Sequence, residues 1–237
     1  MANEKIHPWR MCALGKHWVK PHKRRIKSKT TNKYKTINVS GFCRLNSSKK
    51  DQLYKDELDA IARKYFKNRD KLASIKNLDY ASGDLFDDLI SGWVEYWNEV
   101  LSPETELDPN LVKALIATES SFDKNAKKLA SKNNWARGLL QITDQTIIIL
   151  KNENGELRDF LVNINQQNST IPNLNICAGI RWLFHKQKLA SSKLKRNASW
   201  FEAVLEYKSF TKKYKEKDLK AIEQMNKFSD LYDKLKK

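Results

Sequence analysis

No run of about 18 consecutive apolar residues occurs anywhere in this 237-residue chain, so a membrane-spanning helix is excluded on length. The stretch from 1 to 20 is basic and broken by His7, Pro8 and His17. It lacks the apolar middle of about 7–15 residues that a secretory signal needs, so conventional secretion is not expected. Internal repeats and low-complexity blocks are also missing. Acidic residues are nearly absent from the first 50 positions, where Glu4 stands alone against 14 Lys and Arg. That segment therefore carries +13 of the formal +17, and the remaining 187 residues only +4. Basicity belongs to the N-terminal segment and not to the body of the chain. A polyanion would meet that segment first, whether nucleic acid, teichoic acid, anionic lipid or the carboxylates of cell-wall stem peptides.

What is present is enough to fold. Apolar residues make up 40% of the chain and include seven Trp, nine Phe and eight Tyr, which argues for a packed core. The length suits one sizeable core with a smaller appendage. Residues 1–48 lack helical periodicity, are punctuated by Pro8, Gly15, Pro21 and Gly41, and alternate in strand fashion over Tyr34–Val39. A small basic module, β-containing or irregular, is expected there. Residues 49–101 read as a helical lead-in from Asp51 onward, with Leu58, Ile61, Ala62, Tyr65 and Phe66 on one face. Leu85, Leu89, Trp93 and Trp97 mark a second helix, and core packing is the plain reading of that Trp stripe. Residues 102–237 read as helices and loops with no strand alternation. Asp108-Pro109 is a helix start, Ser199 with Glu202 a capping box, and 215–237 a charged amphipathic helix. The fold class is thus mainly α, after a small basic module.

Cys12, His17, His22 and Cys43 cluster in the first 43 residues. Thiolate and imidazole are preferred zinc ligands, and a metal could hold together a module too small for its own core. The spacing lacks close CxxC pairs, so a Cys12–Cys43 disulfide or unpaired residues stand as alternatives to a structural zinc. Cys177 reads as an apolar filler. Trp9 and Trp18 lie among Arg10, Lys16, Lys20, Lys23, Arg24 and Arg25, a mixture that also suits nucleic acid through phosphate contact and stacking.

The segment LVKALIATESSF places Glu119 one turn from Leu115 and Ile116, with Phe122 one turn beyond. A lone carboxylate beside an apolar face is costly to bury ionised, and its protonated form is what a general acid needs. A Glu at the core's edge, hydrogen-bonded locally, would show the same pattern.

Glu119-Ser120-Ser121-Phe122, then Gly138-Leu139-Leu140-Gln141-Ile142, then Asn175-Ile176 with Gly179, resemble in order and spacing the motifs of lytic transglycosylases of the family 23 glycoside hydrolase type, relatives of goose-type lysozymes. The resemblance covers roughly residues 107 to 207. It implies a lysozyme-like helical catalytic domain that acts on peptidoglycan glycan strands, cutting between N-acetylmuramic acid and N-acetylglucosamine to leave a 1,6-anhydro end. Glu119 would be the single acid and base, with no cofactor for catalysis. Ser120, Gln141, Gly138 and Tyr207 would lie along the bound sugar, and Asn175, Ile176 and Gly179 would back the cleft. The pattern departs from the family at 203–210, where Lys208 follows Tyr207 in place of the usual Asn and the following Gly is missing. No second acid stands out near the motifs, although Asp123, Asp144 and Glu206 stay candidates. A muramidase hydrolase on the same fold is the alternative. So is an inactive lysozyme-like protein that binds wall or nucleic acid, for which Lys208 is the motive. On the leading reading, residues 1–50 serve as an anion-seeking anchor on wall polymers. The chain would then act at the cell wall or periplasm after phage-type release or specialised export.

Overall fold

The computed structural model describes residues 9–30, 32–47, 50–69 and 71–236, and the domain is mainly helical and lysozyme-like after a small β module. The first eight residues, and the boundary expected at 48 and 49, lie outside the described residues.

The module is a two-stranded ribbon made of β1 (Lys16–Val19), β2 (His22–Lys27), β3 (Tyr34–Val39) and β4 (Phe42–Leu45). β1 pairs antiparallel with β4 and β2 with β3, so the chain runs out and back. The alternation over Tyr34–Val39 is the third strand. Pairing breaks at Lys20-Pro21 and Ser40-Gly41, where the Trp18 indole crosses so close that a Cβ on Gly41 would lie 2.2 Å from its ring.

A short hairpin is marginal alone, and this one is anchored at its base. Buried Arg10 donates from Nε to Glu57 Oε1 at 2.5 Å, from Nη1 to Asp51 Oδ1 at 2.6 Å, and from Nη2 to the Lys16 carbonyl at 2.9 Å. Trp18 N–H reaches the same Glu57 at 3.3 Å. Charges this deep persist because each is paired and hydrogen-bonded. Cys12 and Cys43 form a disulfide with Cα atoms 5.7 Å apart.

Asp51 to Tyr54 departs from the helical reading. β5 (Gln52–Tyr54) pairs parallel with a strand more than a hundred residues on, and only at Lys55 does α1 (Lys55–Tyr65) begin. α2 (Asp87–Leu101) carries the Trp stripe as core: Trp93 and Trp97 are fully buried, while Leu85 precedes the helix and is exposed. Next come α3 (Pro109–Ser120) and a three-stranded antiparallel sheet of β6 (Lys127–Ser131), β7 (Asn134–Arg137) and β8 (Ile142–Thr143). That sheet corrects the expectation of helices and loops alone. β6 is exposed along its whole length, so no buried face exists to imprint an alternation.

α4 (Asp144–Lys151) and β9 (Leu161–Asn163), the partner of β5, lead to α5 (Pro172–Leu194). α5 is the axis of the core, and Leu174, Ile176, Cys177, Ile180 and Leu183 are fully buried on it. Trp97 Nε1 donates to the Cys177 carbonyl at 3.1 Å, and Trp93 Nε1 to Asn173 at 2.8 Å. The lead-in helices are therefore part of one hydrophobic cluster with residues 102–237 and not a separate body. α6 (Trp200–Tyr207), α7 (Thr211–Lys215) and α8 (Leu219–Leu235) close the fold. α8 buries Met225, Phe228, Leu231 and Leu235 and packs along α3, where Tyr232 donates to Asp108 at 2.9 Å.

Candidate active site: the Glu119 junction

α3 starts as its residues direct. The Asp108 carboxylate accepts from Asn110 N–H at 2.8 Å and Pro109 occupies the first turn. It stops abruptly, because Ser121 and Phe122 both take positive φ, 51° and 63°. Successive left-handed non-glycine residues are unfavourable and persist where packing dictates them. Here the Phe122 ring turns back into the core against Tyr80 and Phe86, at 5.7 and 6.3 Å between centroids. Glu119 is thereby presented on the last turn of α3, with its side chain 17% exposed.

The Gly138–Gln141 turn is fastened from three distant parts of the chain. Ser120 Oγ donates to the Leu139 carbonyl at 2.8 Å, and the Tyr207 hydroxyl donates to the Leu140 carbonyl at 2.5 Å. Asn175 Oδ1 accepts from Leu140 N–H at 2.8 Å, while its Nδ2 donates to the carbonyls of Arg137 and Ser169 at 3.0 and 2.6 Å. Gly138 has φ 74°, and a Cβ there would sit 2.4 Å from Asn175 Nδ2, so its missing side chain makes room for that amide. Gln141 folds its own amide back onto the Gly138 and Ala126 carbonyls at 2.8 and 3.2 Å.

The residues that the motifs singled out thus meet at one junction. Ser120, Gln141 and Tyr207 all spend a donor on backbone of the turn or its approach. Asn175, expected only as cleft backing, is the most connected of them; its signal was an amide in the otherwise apolar NICAGI helix, buried where only a satisfied polar group survives.

α6 brings in the cation. Its capping box is formed, with Ser199 Oγ accepting from Glu202 N–H at 3.3 Å and Glu202 accepting from Ser199 N–H at 2.8 Å. One residue past its end, Lys208 places its ammonium in contact with Glu119 Oε1, and the Lys208 side chain is only 4% exposed. Burial first, and the Glu119 charge second, push the Tyr207 phenol well above its ordinary range, so it stays a proton donor.

The other carboxylates are engaged elsewhere. Burial works against the charge of Asp144, yet the Arg137 guanidinium and Trp135 N–H hold its carboxyl below the ordinary value. Glu206 is likewise held low against partial burial by Lys193 at 2.6 Å and Thr211 at 2.8 Å. Asp123 accepts from Asn125 N–H at 2.8 Å in an exposed turn.

The zinc expectation at Cys12, His17, His22 and Cys43 is replaced by the disulfide, because sulfurs bonded to each other are not thiolate ligands. His17 shares a hydrogen bond with Asn46 at 2.7 Å and lies on the Tyr54 ring at 4.0 Å, while His22 bonds the Lys20 carbonyl at 3.0 Å.

The lysozyme-like helical domain thus ends α3 on a partly exposed carboxylate, next to the Ser120 that binds the Gly138–Gln141 turn. The family model for the transglycosylase SLT domain matches residues 95–226, more than half of the chain, and the chain belongs to that family. Its function is accordingly of the peptidoglycan lytic transglycosylase type. A comparison with curated proteins and with solved structures finds no match.

Proposed function

We propose that the protein cleaves the β-1,4 bond between N-acetylmuramic acid and N-acetylglucosamine and leaves a 1,6-anhydro-muramic end, with Glu119 as sole acid and base. The observation that supports it most is the position of Glu119, partly open to solvent at the junction of all the motif residues, while Asp123, Asp144 and Glu206 are each tied to other partners. A two-carboxylate glycosidase needs its second acid as nucleophile or to activate water. An internal displacement does not. In protonated form Glu119 donates to the leaving O4 of N-acetylglucosamine as the C1–O4 bond breaks; the resulting carboxylate then takes the proton from the C6 hydroxyl as O6 bonds to C1. The acid is restored and no water is consumed.

Ser120 and Asn175 act as positioning residues, since they fasten the Gly138–Gln141 turn to the end of α3 and to α5. The Tyr207 ring and hydroxyl oxygen border the same junction. Lys208 must give up its contact when the glycan enters, because its ammonium occupies the place on Glu119 Oε1 that the glycosidic oxygen takes. That ion pair also supports a second reading, a lysozyme-like domain that holds wall glycan without cutting it.

Mass spectrometry of the soluble products from purified sacculi tests both. Anhydro-muropeptides from wild type and none from Glu119→Gln are the expected result. Reducing ends would make the protein a hydrolase, and binding without any product would favour the second reading.

A further inference from the structure

The outer half of the N-terminal ribbon has no part in the Glu119 junction and carries an unusual surface. Between His22 and Val39 stand seven Lys and Arg and no acid. The β2 cations are all exposed, as are Lys29, Lys33 and Lys35. Among the described residues none of these seven is in an ion pair with a carboxylate, whereas Lys20, at the base of the ribbon, reaches Asp56 at 3.1 Å. Unpaired like charges concentrated on a narrow two-stranded ribbon repel one another and cost stability, a cost recovered when a polyanion lies across them.

The pairing register sorts these charges by face. Residues directly opposite share a face, so Lys23, Arg25 and Lys27 stand in one row beside Asn38, Thr36 and Tyr34. The contact of Arg25 with the Tyr34 ring, 4.4 Å from its centroid, lies on this face. The opposite face holds the half-buried Ile26, Ile37 and Val39 with His22, Arg24 and Lys35. One face is therefore a continuous cationic track, and its charges recur every second residue, at about 6.8 Å along the strand.

We propose that this track binds a poly(alditol phosphate) wall polymer, a chain of phosphodiester-linked polyols of the teichoic acid type. Spacing and surroundings point to it. A glycerol-phosphate repeat contains six backbone bonds, the same number as two peptide residues, so its extended period is also about 7 Å. Three cations then meet three successive phosphates in step. A single-stranded nucleic acid has similar phosphate spacing but also needs aromatic platforms for its bases. The tryptophans of the module are occupied otherwise: Trp9 packs on Tyr65 and Phe66, and Trp18 is wedged over Gly41, while the one ring on the track, the exposed Tyr34, already carries the Arg25 guanidinium and offers a single platform where successive bases would need several. Membership of a family that acts on peptidoglycan puts the phosphate polymer of the wall within reach, and the inference rests on that membership and not on the bond that Glu119 cuts.

The test is co-sedimentation of the full-length protein with sacculi that retain their phosphate polymer and with sacculi stripped of it by hydrofluoric acid, alongside binding to duplex DNA. Polymer-bearing walls should bind more tightly, with a loss on the order of 20-fold between 50 and 200 mM salt for three phosphate contacts. Lys23→Gln/Arg25→Gln/Lys27→Gln should lose that advantage, and Arg24→Gln/Lys35→Gln, on the other face, should keep most of it. Equal binding to stripped walls, stronger binding to DNA, or an unaffected triple variant would each overturn the proposal. Product release from stripped sacculi, followed in the same samples, reports on Glu119 separately, so failure of one reading is not taken for failure of the other.

Discussion

Lys208 and Glu119 form an ion pair at the end of α3, with their side chains only 4% and 17% exposed. A desolvated pair of this kind is costly to assemble and more costly to break from one side, since the remaining partner is left charged and unpaired.

Replacing the cation tests the pair. Lys208→Asn leaves the Glu119 carboxylate without its partner and is expected to lower stability to denaturant by about 3 kcal/mol while muropeptide release is retained. Unchanged stability would show that the contact contributes nothing to the fold.

The Gly138–Gln141 turn should be sensitive to its fasteners. Asn175→Leu removes three hydrogen bonds and strands the buried Leu140 N–H, a loss of about 2–4 kcal/mol by denaturant unfolding. Gly138→Ala must place a methyl against the Asn175 amide at φ 74° and should cost a similar amount, about 2–3 kcal/mol. Either variant keeping full stability would mean that the turn relaxes freely.

Acid unfolding should report Asp84. Partial burial opposes its charge, yet Lys113, the Ile75 amide and the Ser74 hydroxyl bring it down from 3.8 to about 2. A depressed carboxyl contributes stability that is complete above its unfolded value and lost as pH falls through the folded one. Stability should therefore decline between about pH 4 and pH 2, by about 2 kcal/mol from this group. Asp84→Asn should flatten that part of the pH–stability curve, and an unchanged slope would assign it to other carboxylates.

Reduction should act locally. Opening the Cys12–Cys43 bridge frees a loop of 31 residues, a constraint of at most about 3–4 kcal/mol, at the base of the ribbon. Trypsin should then cut within 20–45 faster under reductant, while the 51–236 fragment stays intact. Parallel loss of both parts would show that the ribbon supports the catalytic core.

The sequence by itself determined whatever rests on neighbours along the chain. Helix starts at Asp108-Pro109 and Ser199, the strand over Tyr34–Val39 and the buried Trp stripe follow from capping, period and composition within a few residues. Tertiary structure decided the rest. β5 became a strand because β9 lies beside it, and Cys12 met Cys43 as a disulfide because the ribbon folds back on itself. Ser120, Asn175 and Tyr207, spread over 88 positions, converged on one turn. Lys208, legible only as an odd residue where Asn was expected, became the partner of Glu119 through the packing of α6 on α5. Local patterns record which face of a segment is buried, but not which distant segment buries it, and that second choice set the charge beside the candidate acid.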